Sequence, residues 1–290
     1  MRRTSLLAGG AAALAITLGA VPAASAADAV FGGSTTGYEA IVLNGDKAAK
    51  KLRSAVVAWR AECADGEGLP MSMTVTPTAA SPGFSAPPTA LTMSRNRKGR
   101  FSGTQRFGLN FGDFSAAVTV QFAGRLRVKA ASGTLSADAV VTENASGNTA
   151  TTCRTGRLRW NASRAPGRIY GGKTSQDYPF VAKLDAKRKQ VTDVILGWET
   201  RSCEPEMGFS YPEHLSNFRL ASTGRFGDTW DDTVKDSDGG SRRFDYSLTG
   251  RVARRAVRGT LRIAITGTDA AGAKTMSCDS GSVTWKATTG

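Results

Sequence analysis

The chain repeats itself once, and that constrains its fold more than any other feature. Phe31-Gly32-Gly33-Ser34-Thr35 returns as Tyr170-Gly171-Gly172-Lys173-Thr174. Trp59 followed by Cys63 returns as Trp198 followed by Cys203. Gly99-Arg100-Phe101, Gly124-Arg125 and Gly133-Thr134-Leu135 return as Gly224-Arg225-Phe226, Gly250-Arg251 and Gly259-Thr260-Leu261. Cys153, Gly156, Trp160 and Ala162 return as Cys278, Gly281, Trp285 and Ala287. The landmarks keep their order. A repeat this long is a domain and not a solenoid turn, so two tandem units are expected, 27–166 and 167–290, divided near Pro166-Gly167. The first unit is longer between its first Cys and Gly99. The surplus falls in the stretch 69–90, which holds Pro70, Pro77, Pro82, Pro87 and Pro88. Prolines at that density argue against a central strand, and a long mobile loop is expected there.

The N-terminus has the three-part pattern of a secretory signal peptide. Arg2 and Arg3 precede an uncharged Leu/Ala/Gly/Ile/Val stretch from Leu6 to Val21, and Ala24-Ser25-Ala26 offers small residues for cleavage. The stretch is shorter than the ~20 residues a spanning helix needs. Residues 1–26 are therefore expected to be removed, leaving no transmembrane span and a secreted or envelope-associated product. Four cysteines in an exported chain imply two disulfides, with three possible connectivities. Each unit has one Cys after its first Trp and one before its last, so the economical pairing is Cys63–Cys153 and Cys203–Cys278. No clustered Cys/His spacing suits zinc, and neither metal nor cofactor is expected.

Both units read as all-β. Segment 47–60 taken alone has a helix-like 3–4 apolar spacing. Its counterpart, Val191-Thr192-Asp193-Val194-Ile195-Leu196-Gly197-Trp198, is β-branched with an internal Gly, which suits a strand. Duplicated units share a fold, so both are read as strands. Elsewhere the period is two. Val118, Val120 and Phe122 share a face, as do Phe244, Tyr246 and Leu248; Leu261, Ile263 and Ile265; Leu158, Trp160 and Ala162; and Val283, Trp285 and Ala287. About eight strands per unit are expected, an antiparallel meander closed as a small barrel or sandwich. The indole nitrogens of Trp160 and Trp285 should then find a partner at the core edge.

Chemistry-bearing residues are sparse. A single histidine, His214, argues against histidine-dependent catalysis and multi-histidine metal sites; it is expected on a surface loop. Asp228, Asp231, Asp232, Asp236 and Asp238 look like a solvated hairpin tip, because their spacing is not that of a calcium loop. No catalytic residue stands out. The net charge is +14. Arg125, Arg127 and Lys129 fall at the same hairpin of the first unit as Arg251, Arg254 and Arg255 in the second. These six are the candidate anion contacts, suited to an acidic cell-envelope or extracellular polymer. Nucleic acid is not expected, since no aromatic-plus-basic RNA motif appears.

The aromatic-Gly-Gly-x-Thr start and the Cys-x-x-Gly-x-Val/Leu-x-Trp-x-Ala end of each unit resemble a domain common in secreted proteins of high-GC actinobacteria. Phe31–Thr35 with Cys153–Ala162, and Tyr170–Thr174 with Cys278–Ala287, carry the likeness across almost the whole chain after the signal peptide. The resemblance implies export and an all-β fold, and no catalytic activity. The leading expectation is an exported, non-catalytic tandem β protein that binds an anionic polymer. The alternative is a secreted hydrolase-like enzyme with its site in a barrel mouth or between the units. Converging carboxylates in a cleft would mark the second.

Overall fold

The computed structural model describes residues 28–46, 48, 51–75, 80–82, 99–165 and 167–290. Residues 1–26, where a signal peptide is expected, Pro166 and most of the Pro-rich stretch lie outside the described residues. The first unit contributes β1 (Asp28–Thr35), β2 (Ala40–Asp46), β3 (Leu52–Cys63), β4 (Gly68–Val75), β5 (Ala80–Pro82), β6 (Arg100–Phe111), β7 (Phe114–Leu126), β8 (Ala130–Glu143), β9 (Thr149–Arg154) and β10 (Leu158–Ser163). The second contributes β11 (Arg168–Thr174), β12 (Pro179–Leu184), β13 (Gln190–Glu199), β14 (Ser202–Glu204), β15 (Ser210–Arg219), β16 (Arg225–Lys235), β17 (Ser241–Val252), β18 (Ala256–Thr268), β19 (Lys274–Asp279) and β20 (Val283–Thr288). Among the described residues no helix is long and apolar enough to cross a membrane.

The strands form two separate antiparallel sheets. The first runs β5-β4-β3-β2-β1-β10-β8-β7-β6, and β9 bridges β3 and β8. That bridge closes six strands into a barrel. The second runs β14-β19-β18-β20-β11-β12-β13-β15, with β17 and β16 extending from β18, and is a half-barrel. The fold is all-β with two tandem units, as the alternation indicates, but each sheet has ten strands rather than about eight. The three-residue strands β5 and β14 are too short to show a period.

A further correction concerns the Pro-rich stretch. Its first part is not loop: β4 pairs with β3 from Glu62↔Gly68 to Ala55↔Val75, and Pro70 stands opposite Arg60. Among the described residues, β5 covers the outer side of β4 from Met73 to Val75. Pro70 therefore lies on an edge segment, where a sheet tolerates the missing N–H.

Three of the recurring glycines, Gly124, Gly133 and Gly259, are explained by the two core tryptophans. Trp160 stacks on Phe122 with ring centroids 5.4 Å apart, and Trp285 stacks on Phe180 at 4.8 Å. A Cβ added at Gly124 or at Gly133 would stand 2.4 Å from Trp160 Cζ2, and one at Gly259 would stand 2.3 Å from Trp285 Cζ2. The glycines thus form a flat seat for the indole. Contrary to expectation, neither Trp160 Nε1 nor Trp285 Nε1 has a hydrogen-bond partner among the described residues. Each ring lies against bare backbone and aromatic faces, where no side-chain acceptor reaches it.

The outer faces of β1–β3 and β11–β13 pack together. Val30, Ala40, Val42 and Val56 of the first unit form one buried cluster with Ile169, Val181 and Ile195 of the second. The contact is reciprocal. A Cβ on Gly32 would meet Val181 Cγ1 at 2.5 Å and Ile169 Cγ2 at 2.9 Å, while one on Gly171 would meet Val42 Cγ1 at 2.5 Å and Val30 Cγ1 at 2.8 Å. This is the pattern of an isologous interface, with the same patch used on both sides. Hydrogen bonds cross it from Arg60 Nη1 to Ser210 O at 3.0 Å and from Ser72 Oγ to Asp177 O at 3.2 Å.

Candidate functional site

The six sequence-identified basic residues sit at the ends of two matching hairpins. In the β7–β8 turn, Arg127 N donates to Ala130 O at 2.8 Å; in the β17–β18 turn, Ala253 N donates to Ala256 O at 2.7 Å. Arg125, Arg127, Lys129, Arg251, Arg254 and Arg255 are all exposed. Among the described residues none of the six forms an ion pair with a carboxylate.

Both turns are tied to the same end of the interface. Arg164 N donates to Lys129 O at 3.0 Å and Thr289 N to Arg255 O at 3.2 Å. Arg168 Nη1 donates to Arg254 O. Arg164, Arg168 and Thr289 line one open groove of about 450 Å³ together with Arg188. The two turns therefore flank a groove that carries three more arginines. A second open groove brings Arg127 of the first unit beside Lys183 of the second.

The remaining sequence candidates resolve as structural groups. His214 is on strand β15 and not on a loop, with Nε2 2.8 Å from Asp193 Oδ1. Burial alone would raise the Asp193 carboxyl, but the His214 hydrogen bond and the nearby Lys183 outweigh it and hold it below the usual range. The acidic segment is likewise a strand for most of its length. Asp228, Asp231 and Asp232 lie in β16, paired with β17. Asp236 is held by Arg242 and Asp231 stands 3.8 Å from Arg243. Aspartate disfavours strands, which is why this segment reads as a tip; the long cross-strand ladder overrides that preference. Among the described residues no group of three or more metal-ligating side chains converges.

The structure brings together buried acids that the sequence leaves scattered. In the second unit Glu213 Oε1 accepts from Trp198 Nε1 at 3.1 Å and from Tyr246 Oη at 3.3 Å. Trp230 stacks on Tyr246 at 4.8 Å. Burial pushes Glu213 above the usual glutamate value, and Asp232 adds to the shift. The corresponding ladder positions of the first unit hold Met73, Val120 and Gln105. There Trp59 Nε1 and both amide atoms of Gln105 have no hydrogen-bond partner among the described residues. A comparison of the two units at these positions was the available signal.

The raised Glu213 has a measurable consequence. Its protonated form is favoured by folding, so its contribution to stability is present below the ordinary glutamate pKa and is lost as pH rises through the folded value. Glu213→Gln keeps an acceptor for Trp198 and Tyr246 and removes the titration. Thermal midpoints measured from pH 4 upward should fall less steeply in this variant than in the parent. Parallel curves would show that Glu213 does not titrate across folding.

At the end of β1 and β11 away from the basic groove lies a second polar cluster. Glu39 is buried and accepts from Thr35 Oγ1. Tyr178 Oη stands 3.4 Å from Glu199 Oε2 and 3.5 Å from Ser210 Oγ. Gln176 straps the Glu199 backbone through Nε2 to O at 2.8 Å and Oε1 to N at 3.0 Å. Burial raises both Glu39 and Glu199 and pushes Tyr178 up to about 12.

No protein-family model, no curated protein and no solved structure matches this chain.

Proposed function

We propose that this chain is an exported, non-catalytic product of a tandem duplication that binds an anionic cell-envelope or extracellular polymer through its basic end. One observation carries the reading: the two exposed, unpaired basic turns flank one arginine-lined groove at the same end of the interface. Two such turns act on one linear polyanion with additive attraction and with avidity. The two disulfides and the absence of a long apolar helix among the described residues are compatible with an extracellular protein. The likeness of the unit ends to secreted actinobacterial domains supports the same compartment. The hydrolase alternative is favoured less, because Glu39 is taken up by Thr35 and Asp177 by Lys173.

Replacing Arg125, Arg127, Lys129, Arg251, Arg254 and Arg255 with Gln should weaken binding to heparin and to long-chain polyphosphate by roughly two orders of magnitude at low salt, given screening over about 8–10 Å at physiological ionic strength. The circular dichroism of the folded β protein should not change, since all six side chains are exposed. Unchanged affinity in this variant, or parental binding that survives molar salt, would overturn the reading.

A further inference from the structure

The cleft at the far end of the interface has the opposite chemistry to the basic groove. A cavity of about 200 Å³ opens between β4 and β6 of the first unit. Met71, Phe107 and Leu109 form its wall, and the second unit closes it from below with Asp177, Tyr178 and Glu199. A cavity near 150 Å³ holds benzene, so this one accepts a single ring with a short tail. Among the described residues no lysine or arginine lines this cavity.

The polar groups at its base accept more than they donate. Asp177 is engaged by Lys173 at 3.3 Å, so its charge is already answered. Glu199 has one long hydrogen bond from Tyr178 and feels Arg201 only through space. Its carboxyl stays above the ordinary range because burial outweighs both. Gln176 fixes the strand that bears it. A ligand head that supplies charge-assisted donors at Glu199 restores what burial removes. An anion there would meet a carboxylate, and a purely apolar ligand would cover it with the long bond from Tyr178 as its one side-chain donor.

We propose that this cleft binds a small aromatic amine, with the ammonium on Glu199 and the ring against Phe107, Leu109 and Met71. The site is distinct from the basic end and stands whether or not that end binds polyanions.

The test is a titration of the full-length protein with 2-phenylethylamine, 2-phenylethanol and phenylacetate, read by calorimetry and by ligand-observed NMR. The amine should bind roughly tenfold or more tighter than either of the others. Glu199→Gln should remove that preference, and Leu109→Trp, which fills the cavity from its wall, should abolish binding of all three. The six-Gln basic variant should bind the amine like the parent. Equal affinity for the three probes, an amine preference that survives Glu199→Gln, binding that survives Leu109→Trp, loss of amine binding in the six-Gln variant, or no saturation by about 10 mM amine would each overturn the proposal. Thermal midpoints of both cleft variants establish that they remain folded.

Discussion

Loss of the Cys63–Cys153 bridge should lower stability by about 4–5 kcal/mol in the chain-entropy model, because the bond closes a loop with a sequence separation of 90. Total stabilities of ~5–15 kcal/mol make this a large share. Geometry sharpens the expectation. β9 meets β3 through only two residue pairs, Glu62↔Arg154 and Cys63↔Cys153, and that short ladder closes the first barrel. The covalent bond therefore pins the closure itself. The matching bridge Cys203–Cys278 ties β14 to β19, with a separation of 75, and its loss should be nearly as costly. Urea unfolding of the Cys63→Ala/Cys153→Ala and Cys203→Ala/Cys278→Ala variants measures both effects. Midpoints equal to that of the parent would mean that the bridges do not hold the sheets closed.

Gly33→Val should be among the most damaging single substitutions in the chain. A Cβ at Gly33 would stand 1.9 Å from Asn161 O and 2.7 Å from Ala162 Cα, both backbone atoms of β10. No rotamer relieves a clash with backbone, so β1 must part from β10 across a ladder that runs only from Gly32↔Ser163 to Thr35↔Trp160. Overpacking costs of roughly 3 kcal/mol or more follow. The neighbouring Gly32 is small for another reason: its missing Cβ makes room for Val181 and Ile169 of the second unit. Gly32→Val should spare the first barrel and loosen the packing between units, which small-angle scattering reads as expansion. Thermal unfolding separates the two cases. A parental midpoint for Gly33→Val would show that β1 and β10 are not in this register.

Strand period and repeat carried much of the fold into view. Leu261, Ile263 and Ile265 face inward in β18 as their alternation indicates, and all three are buried. Segment 47–60 was readable as a strand only because Val191–Trp198 could be laid beside it. Composition misled in two places. Five prolines hid the paired strand β4 and clustered aspartates hid β16, and in both a long cross-strand ladder overrode a local preference. His214 was assigned to a loop because it falls in the second unit's counterpart of the Pro-rich stretch, and it lies in β15. The candidate sites divide in the same way. The basic turns were visible because each is a short run of residues at a repeated landmark. Glu39, Tyr178 and Glu199 were not, because they come from different strands of different units.

The order of residues along the chain therefore determined what local periodicity and the repeated landmarks encode: strands, two units, the cysteine pairing and the basic turns. Tertiary structure alone decided what depends on distance across sheets. It made Gly32 and Gly171 reciprocal seats for the valines and isoleucine of the opposite unit. It gathered Arg164, Arg168 and Arg188 between the two basic turns, and it set Glu199 beneath an apolar wall built by the other unit. A strand's own period states which side chains share a face. The partner that face meets is set by barrel closure and by the packing of one sheet on another, between residues more than a hundred positions apart.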